Sequence, residues 1–150
     1  MEENQIRQPG EPIRAALQCQ TSRPHRILVV DDDPLIIELN VERLIAAGYH
    51  VDAATDGAVA WDILQLNNYD LIITDNTMPR MTGLELIEKM RSGGMVVPVI
   101  MASGTLLKEE LTQYPRLQPV AMLPKPYTGV ELLEMVKKVL GAAVPIAMLY

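Results

Sequence analysis

Leu71-Ile72-Ile73-Thr74-Asp75 is an apolar run of strand length that ends on a carboxylate. A continuous apolar stretch of this size suits a strand covered on both faces. An acid at its end is costly unless the strand stops there and the carboxylate faces a polar crevice. Two other runs end in the same manner. Ile27-Leu28-Val29-Val30 stops at Asp31-Asp32-Asp33, and Val96 to Ala102 stops at Ser103. As parallel strands of one sheet they would place their carboxyl ends along one edge, where open α/β sheets hold their ligands. Several acids and one hydroxyl then gather at a single site.

The 150 residues fit one ordinary domain plus tails. Hydrophobic residues make up 49%, enough for a packed core and too many for a disordered chain. The net charge is -6 and Lys and Arg form no block, so nucleic acid and anionic membrane are poor direct partners. A metal cation or a basic protein suits this balance better. Cys19 is the single cysteine, which rules out an internal disulfide and argues against a zinc cluster. Met1-Glu2-Glu3-Asn4-Gln5 lacks the basic start and apolar centre of a secretory signal, and no uninterrupted apolar segment has the length of a membrane span. The expected location is cytoplasmic.

Residues 1–25 read as an extension, expected to be flexible, with Pro9-Gly10 and Pro12. From Arg26 onward, apolar runs of strand length alternate with amphipathic segments of helix length, which argues for βαβ units and a parallel sheet. Strands are expected at about Arg26–Asp31, Tyr49–Ala54, Leu71–Asp75, Val96–Ser103 and Val120–Leu123. The first helix should start at Pro34 and end at Ala47 before Gly48, with Leu35, Leu39, Leu44 and Ile45 as its apolar set. Asp56 should cap a helix ending near Leu66, and Thr82 one from Gly83 to Arg91. A weak helix around Leu106–Gln113 is stopped by Pro115, and the last runs from about Thr128 to Leu140. This is one doubly wound α/β domain over residues 26–141. The C-terminal stretch Val139 to Tyr150, which includes the tail 142–150, is apolar but short and broken by Gly141 and Pro145. It reads as a segment that folds back or frays, with a docking strip as the alternative.

Asp31, Asp32 and Asp75 would crowd three carboxylates into one crevice, where like charges repel and some are driven to hold a proton. A hard divalent cation relieves that conflict, and magnesium takes oxygen ligands and keeps several waters. Lys125, in Leu123-Pro124-Lys125-Pro126, reaches the same edge, and its ammonium would offset charge on an oxyanion. Ser103 offers a hydroxyl. Acids, a lysine and a hydroxyl around a metal describe phosphoryl transfer. His25 and His50 lie at strand starts, away from that edge, so a carboxylate nucleophile is the simplest choice. Each residue also has a plainer reading. Asp33 before Pro34 is a helix cap, Lys125 a solvated loop residue, Ser103 a turn former. Their joint position at the strand ends is what favours the chemical reading.

The chain resembles the receiver domain of two-component response regulators over about Arg26 to Gly141. The resemblance rests on Ile27 to Pro34, on Asp70 to Asp75 with Met78-Pro79 and Gly83, on Pro98 to Ser103, and on Lys125-Pro126. It implies a five-stranded parallel sheet in the flavodoxin-like order 2-1-3-4-5 with helices on both faces. It implies Asp75 as the phosphate acceptor. Magnesium would be held by Asp32 directly, by Asp31 mainly through water, by Asp75, and by the backbone carbonyl of Thr77. Ser103 and Lys125 would bond the phosphoryl group, and Lys125-Pro126 would be a cis peptide. A sensor histidine kinase or a phosphotransfer protein would be the donor, and a downstream protein or output domain the recipient of the signal. Apart from self-catalysed transfer and autodephosphorylation, no enzyme activity is implied.

This sequence also departs from the family pattern. Met122 stands where an aromatic switch residue is usual, and Arg80 and Thr82 replace the commoner Gly and Asp. Thr77 and Thr105 would flank the site and tune the lifetime of the phosphoryl group. The leading expectation is a single-domain response regulator or isolated receiver, monomeric or weakly dimeric. A phosphorylation-independent interaction module is the alternative, supported by Met122. An Asp-based phosphatase is a further alternative, read from the Asp-x-Asp pattern at Asp31-Asp32-Asp33.

Overall fold

The central strand of the sheet is buried at every position because helices cover both of its faces, and this is why its sequence shows no polar alternation. The computed structural model describes residues 23–104, 113 and 115–141. The extension before residue 23, Thr105, the expected helix at Leu106–Gln113 save its last residue, and the tail 142–150 lie outside the described residues.

In chain order the elements are β1 Arg26–Val30, α1 Pro34–Ala46, β2 His50–Ala54, α2 Gly57–Leu66, β3 Leu71–Asp75, α3 Gly83–Ser92 and β4 Val99–Ser103. A single 3-10 turn at Pro115–Leu117, β5 Ala121–Pro124 and α4 Gly129–Gly141 complete the described chain. The sheet order is β2-β1-β3-β4-β5, and every pairing is parallel. Successive strand residues point to opposite faces. Leu28, Val30, Ile72 and Met101 therefore pack with Ala60, Leu64, Leu86, Ile87 and Met90 of α2 and α3. Ile27, Val29, Leu71, Ile73 and Ile100 pack with Leu44, Leu132, Val136 and Val139 of α1 and α4. Truncating one of these large side chains to alanine costs about 2–5 kcal/mol.

Among the described residues, four junctions from a strand edge into a helix carry their own caps. Asp33 accepts from the Leu35 amide and Asp56 from the Val59 amide. Thr82 and Glu85 exchange reciprocal bonds, as do Thr128 and Glu131. Threonine thus replaces the commoner aspartate at position 82 without loss of the cap.

Two expectations need correction. In α1 the residues chosen from spacing are mostly outside: Leu35, Leu39 and Ile45 are exposed, and only Leu44 is buried. The inward stripe runs through Ile37, Asn40, Val41 and Leu44. Asn40 holds a core position because its amide donates to the Tyr127 hydroxyl at 2.7 Å, which satisfies a buried polar group. β4 begins at Val99, three residues later than expected, and Val96 is 87% exposed. Proline has no N–H to give the ladder, so Pro98 contributes only its carbonyl, to the Ile72 amide. Upstream of it, the Arg91 guanidinium bonds the carbonyls of Met95 and Val97, which the strand leaves unpaired.

Candidate functional site

The register brings the predicted residues to one edge. Val30 pairs with Thr74, so Asp31 and Asp75 follow side by side. Asp75 is opposite Ala102, and Ser103 is opposite Pro124, one residue before Lys125. Carboxylate oxygens of Asp31, Asp32 and Asp75 lie within 4.8 Å of one another. Asp31 and Asp75 are buried, whereas Asp32 is exposed at the mouth. The Lys125 ammonium reaches Asp31 Oδ2 and Asp75 Oδ1, both at 3.3 Å. Its backbone N–H donates to the Ser103 carbonyl, which ties the ends of β4 and β5 together. Ser103 itself is buried. The Lys125–Pro126 peptide is cis.

Asp31 is built into this edge from three directions. Its N–H donates to Ala54, its Oδ1 accepts from the Asp33 amide at 2.9 Å, and its Oδ2 faces the lysine. Burial nevertheless pushes its carboxyl above the ordinary value, aided by the charge of Asp75 and opposed by the Asp33 amide and Lys125. At Lys125 burial works against the charge, yet Asp31 and Asp75 outweigh it and raise the ammonium further. The two directions have one cause. A single ammonium serves two buried carboxylates, so it is over-stabilised while Asp31 is under-compensated.

With Asp32 beside them, three carboxylates cluster where one ammonium pairs with two, so the formal charge of the pocket is negative. The donors are hard oxygens with one carboxylate open to water, which fits magnesium and does not fit a thiolate-seeking or imidazole-seeking metal.

The loop after Asp75 is held at both ends. The Asn76 carbonyl accepts from the Gly83 amide at 2.9 Å, and Asn76 Oδ1 accepts from the Leu84 amide at 3.1 Å. Position 83 must be glycine, since a Cβ there would lie 2.6 Å from the Asp75 carbonyl oxygen. Thr77, two residues past Asp75, is exposed in this loop. Met122 is half-buried and packs against the core on the α2 and α3 side of the sheet.

A model of the response regulator receiver domain matches residues 27–137, well over half of the chain. The protein belongs to this family. It is 35% identical over 102 residues to the sensor histidine kinase RcsC of Escherichia coli K12, covering 68% of this chain and 11% of RcsC. It is 34% identical over 122 residues to the response regulator MprA of Mycobacterium sp. strain KMS, covering 81% of this chain and 53% of MprA. The receiver thus spans about half of MprA and about a tenth of RcsC. Among solved structures, the chemotaxis protein CheY4 of Vibrio cholerae superposes with a TM-score of 0.72 at 30% identity, covering 77% of this chain and 98% of that one. The response regulator TrrA of Thermotoga maritima, solved in complex with Mg(2+)-BeF, gives 0.68 at 34% identity, covering 77% and 98%.

Two pairs at this receiver's edge escape a reading by motif. Asn40 with Tyr127 joins α1 to the loop that carries Lys125. Asp56 with Arg80 joins the start of α2 to the loop after Asp75. In the sequence Arg80 is a departure from the family pattern and Asp56 a helix cap. Nothing in their spacing announces a pair.

Among the described residues no helix is long and apolar enough to cross a membrane.

Proposed function

We propose that Asp75 accepts a phosphoryl group from a phosphohistidine on a sensor kinase or phosphotransfer protein, and that the modified receiver binds a downstream protein or output domain differently. The observation that carries this reading is the cluster of Asp31, Asp32 and Asp75 with Lys125 between the two buried acids.

A carboxylate oxygen of Asp75 attacks phosphorus. The bond from phosphorus to the donor imidazole breaks, and its electron pair leaves with that nitrogen. Asp31, Asp32, Asp75 and the Thr77 carbonyl would hold magnesium, which would supply neutralisation of charge on the phosphoryl oxygens. Lys125 exchanges its contact with Asp75 Oδ1 for a phosphoryl oxygen, and the Ser103 hydroxyl donates to another. Water later attacks phosphorus and releases phosphate, which returns the carboxylate. The chain acts on its own side chain and not on a separate substrate.

Beside Lys125 lies a groove of about 620 Å³ lined by Leu39, Asn40, Tyr127 and Val130 among others. Leu39 and Val130 are exposed, an apolar rim next to the reacting group, and we assign it to the phosphodonor. A cytoplasmic location and a monomeric or weakly dimeric state accord with this role. The kinship of TrrA, which was solved with Mg(2+)-BeF, supports the cation.

Incubation with magnesium and acetyl phosphate should add one phosphoryl mass to wild-type protein and none to Asp75→Asn. A wild type that stays unmodified, and ignores beryllofluoride, would overturn the proposal. It would instead favour the phosphorylation-independent module that Met122 supports.

A further inference from the structure

Arg80 has φ 69°, the one positive φ at a non-glycine among the described residues. The Met81 amide donates to the Pro79 carbonyl at 2.8 Å, so Arg80 is the middle residue of a γ-turn of the strained, positive-φ hand. Such a conformation persists only where its surroundings hold it. What holds it is visible. Arg80 directs both Nε and Nη2 at Asp56 Oδ2, the first at 3.0 Å. Asp56 is buried, and its other oxygen accepts from the Val59 amide at the start of α2. The Val59 amide and the Arg80 guanidinium together hold the Asp56 carboxyl below its ordinary value, so it stays charged. Beneath the loop, Gly57 leaves room for Met81, since a Cβ there would lie 2.9 Å from Met81 Cβ and carbonyl oxygen.

An exposed ion pair is commonly worth little, and the Arg80 side chain is 62% exposed. This pair differs in that its acid is buried, is fixed by a helix amide, and receives two donors of one planar group. It anchors the far side of a loop whose near side is fastened by Asn76 to Gly83 and Leu84. Thr77 lies between these two anchors.

We propose that Arg80 is a positioning residue: its bond to Asp56 clamps the loop 76–82 onto α2, sets the main chain at Thr77, and so tightens the hold of the site on a divalent cation. This rests on the phospho-acceptor reading of Asp75.

Asp56→Asn is the cleanest test, because asparagine caps a helix as well as aspartate while the charge is removed. Arg80→Gly removes the guanidinium and relieves the positive φ. Arg80→Lys keeps the charge without the planar fork. In metal-free protein, amide exchange at Met81, Gly83 and Leu84 should quicken about tenfold in Asp56→Asn and Arg80→Gly, and less in Arg80→Lys. Magnesium titration followed by amide shifts should give a Kd about five to ten times weaker in the first two variants. Wild-type exchange and wild-type Kd in Asp56→Asn would overturn the clamp, whether or not Arg80→Gly folds. Quickened exchange with an unchanged Kd would overturn its role toward the cation. A wild type that takes up no magnesium would overturn the phospho-acceptor reading together with the cation role, while the exchange rates would still decide the clamp.

Discussion

The two ends of the sheet treat charge in opposite ways. At the amino edge of the strands, Arg26 pairs with Asp52 at 3.4 Å and lies over the Tyr69 ring at 5.1 Å. The Tyr69 hydroxyl donates to Asp52 at 2.6 Å, and the Arg26 amide donates to Asp70 at 2.7 Å. Each acid there has protein donors, and both members of the Arg26–Asp52 pair remain partly in water. At the carboxyl edge, three acids cluster, and the two buried ones share one lysine. The first arrangement is what stability alone would select. The second crowds like charges, and the proposed cation and phosphoryl chemistry would relieve it.

The contrast breaks most readily at Asp75. Asp75→Asn should abolish phosphoryl uptake from acetyl phosphate, whereas removing Arg26 should leave uptake intact; mass measurement after incubation decides both. A smaller effect follows from the excess charge. Magnesium at about a hundred times its Kd should stabilise the wild type by about 2.7 kcal/mol, read as a raised thermal midpoint. That gain should shrink to near nothing in Asp32→Asn and persist in an Asp52 variant.

Next in size is Asp31. In metal-free protein at pH 7, Asp31→Asn should melt slightly higher than wild type, because a carboxylate disfavoured by burial is gone. The sign with pH follows from the raised carboxyl. The folded state holds that proton more tightly, so its contribution is most favourable below the unfolded value and is lost as pH rises through the folded one. The gap between variant and wild type should therefore close as the solution is acidified towards pH 4, about the ordinary aspartate value. A gap that widened on acidification would contradict the burial argument. The smallest effect belongs to Tyr69→Phe. It should cost about 0.5–1 kcal/mol of stability in urea unfolding and leave magnesium affinity unchanged.

Much of this contrast was legible in the residues. β1 and β3 read correctly because strands covered on both faces are apolar throughout, and their ends were marked by Asp31 and Asp75. The lysine and serine followed from the same logic, each at the close of a strand. Reading failed where a distant partner overrode a local pattern. Spacing in α1 favoured Leu35 and Leu39 because an asparagine does not look like a core residue until Tyr127 stands opposite it. The apolar Val96 and Val97 extend the pattern of β4 upstream, but Pro98 has no N–H for the ladder and the strand starts only after it, at Val99. The bond between Asp56 and Arg80 crosses 24 residues and has no periodic signature.

Asn40 and Tyr127 are 87 positions apart in the chain and 2.7 Å apart in space. Their bond links the outer helix directly to the lysine-bearing turn. A protein resting on the exposed side of α1 would then adjust the aim of Lys125 without touching it. Recognition and reactivity would share a frame, so a change on the outer surface of that helix could retune reaction speed while every acid stays in place.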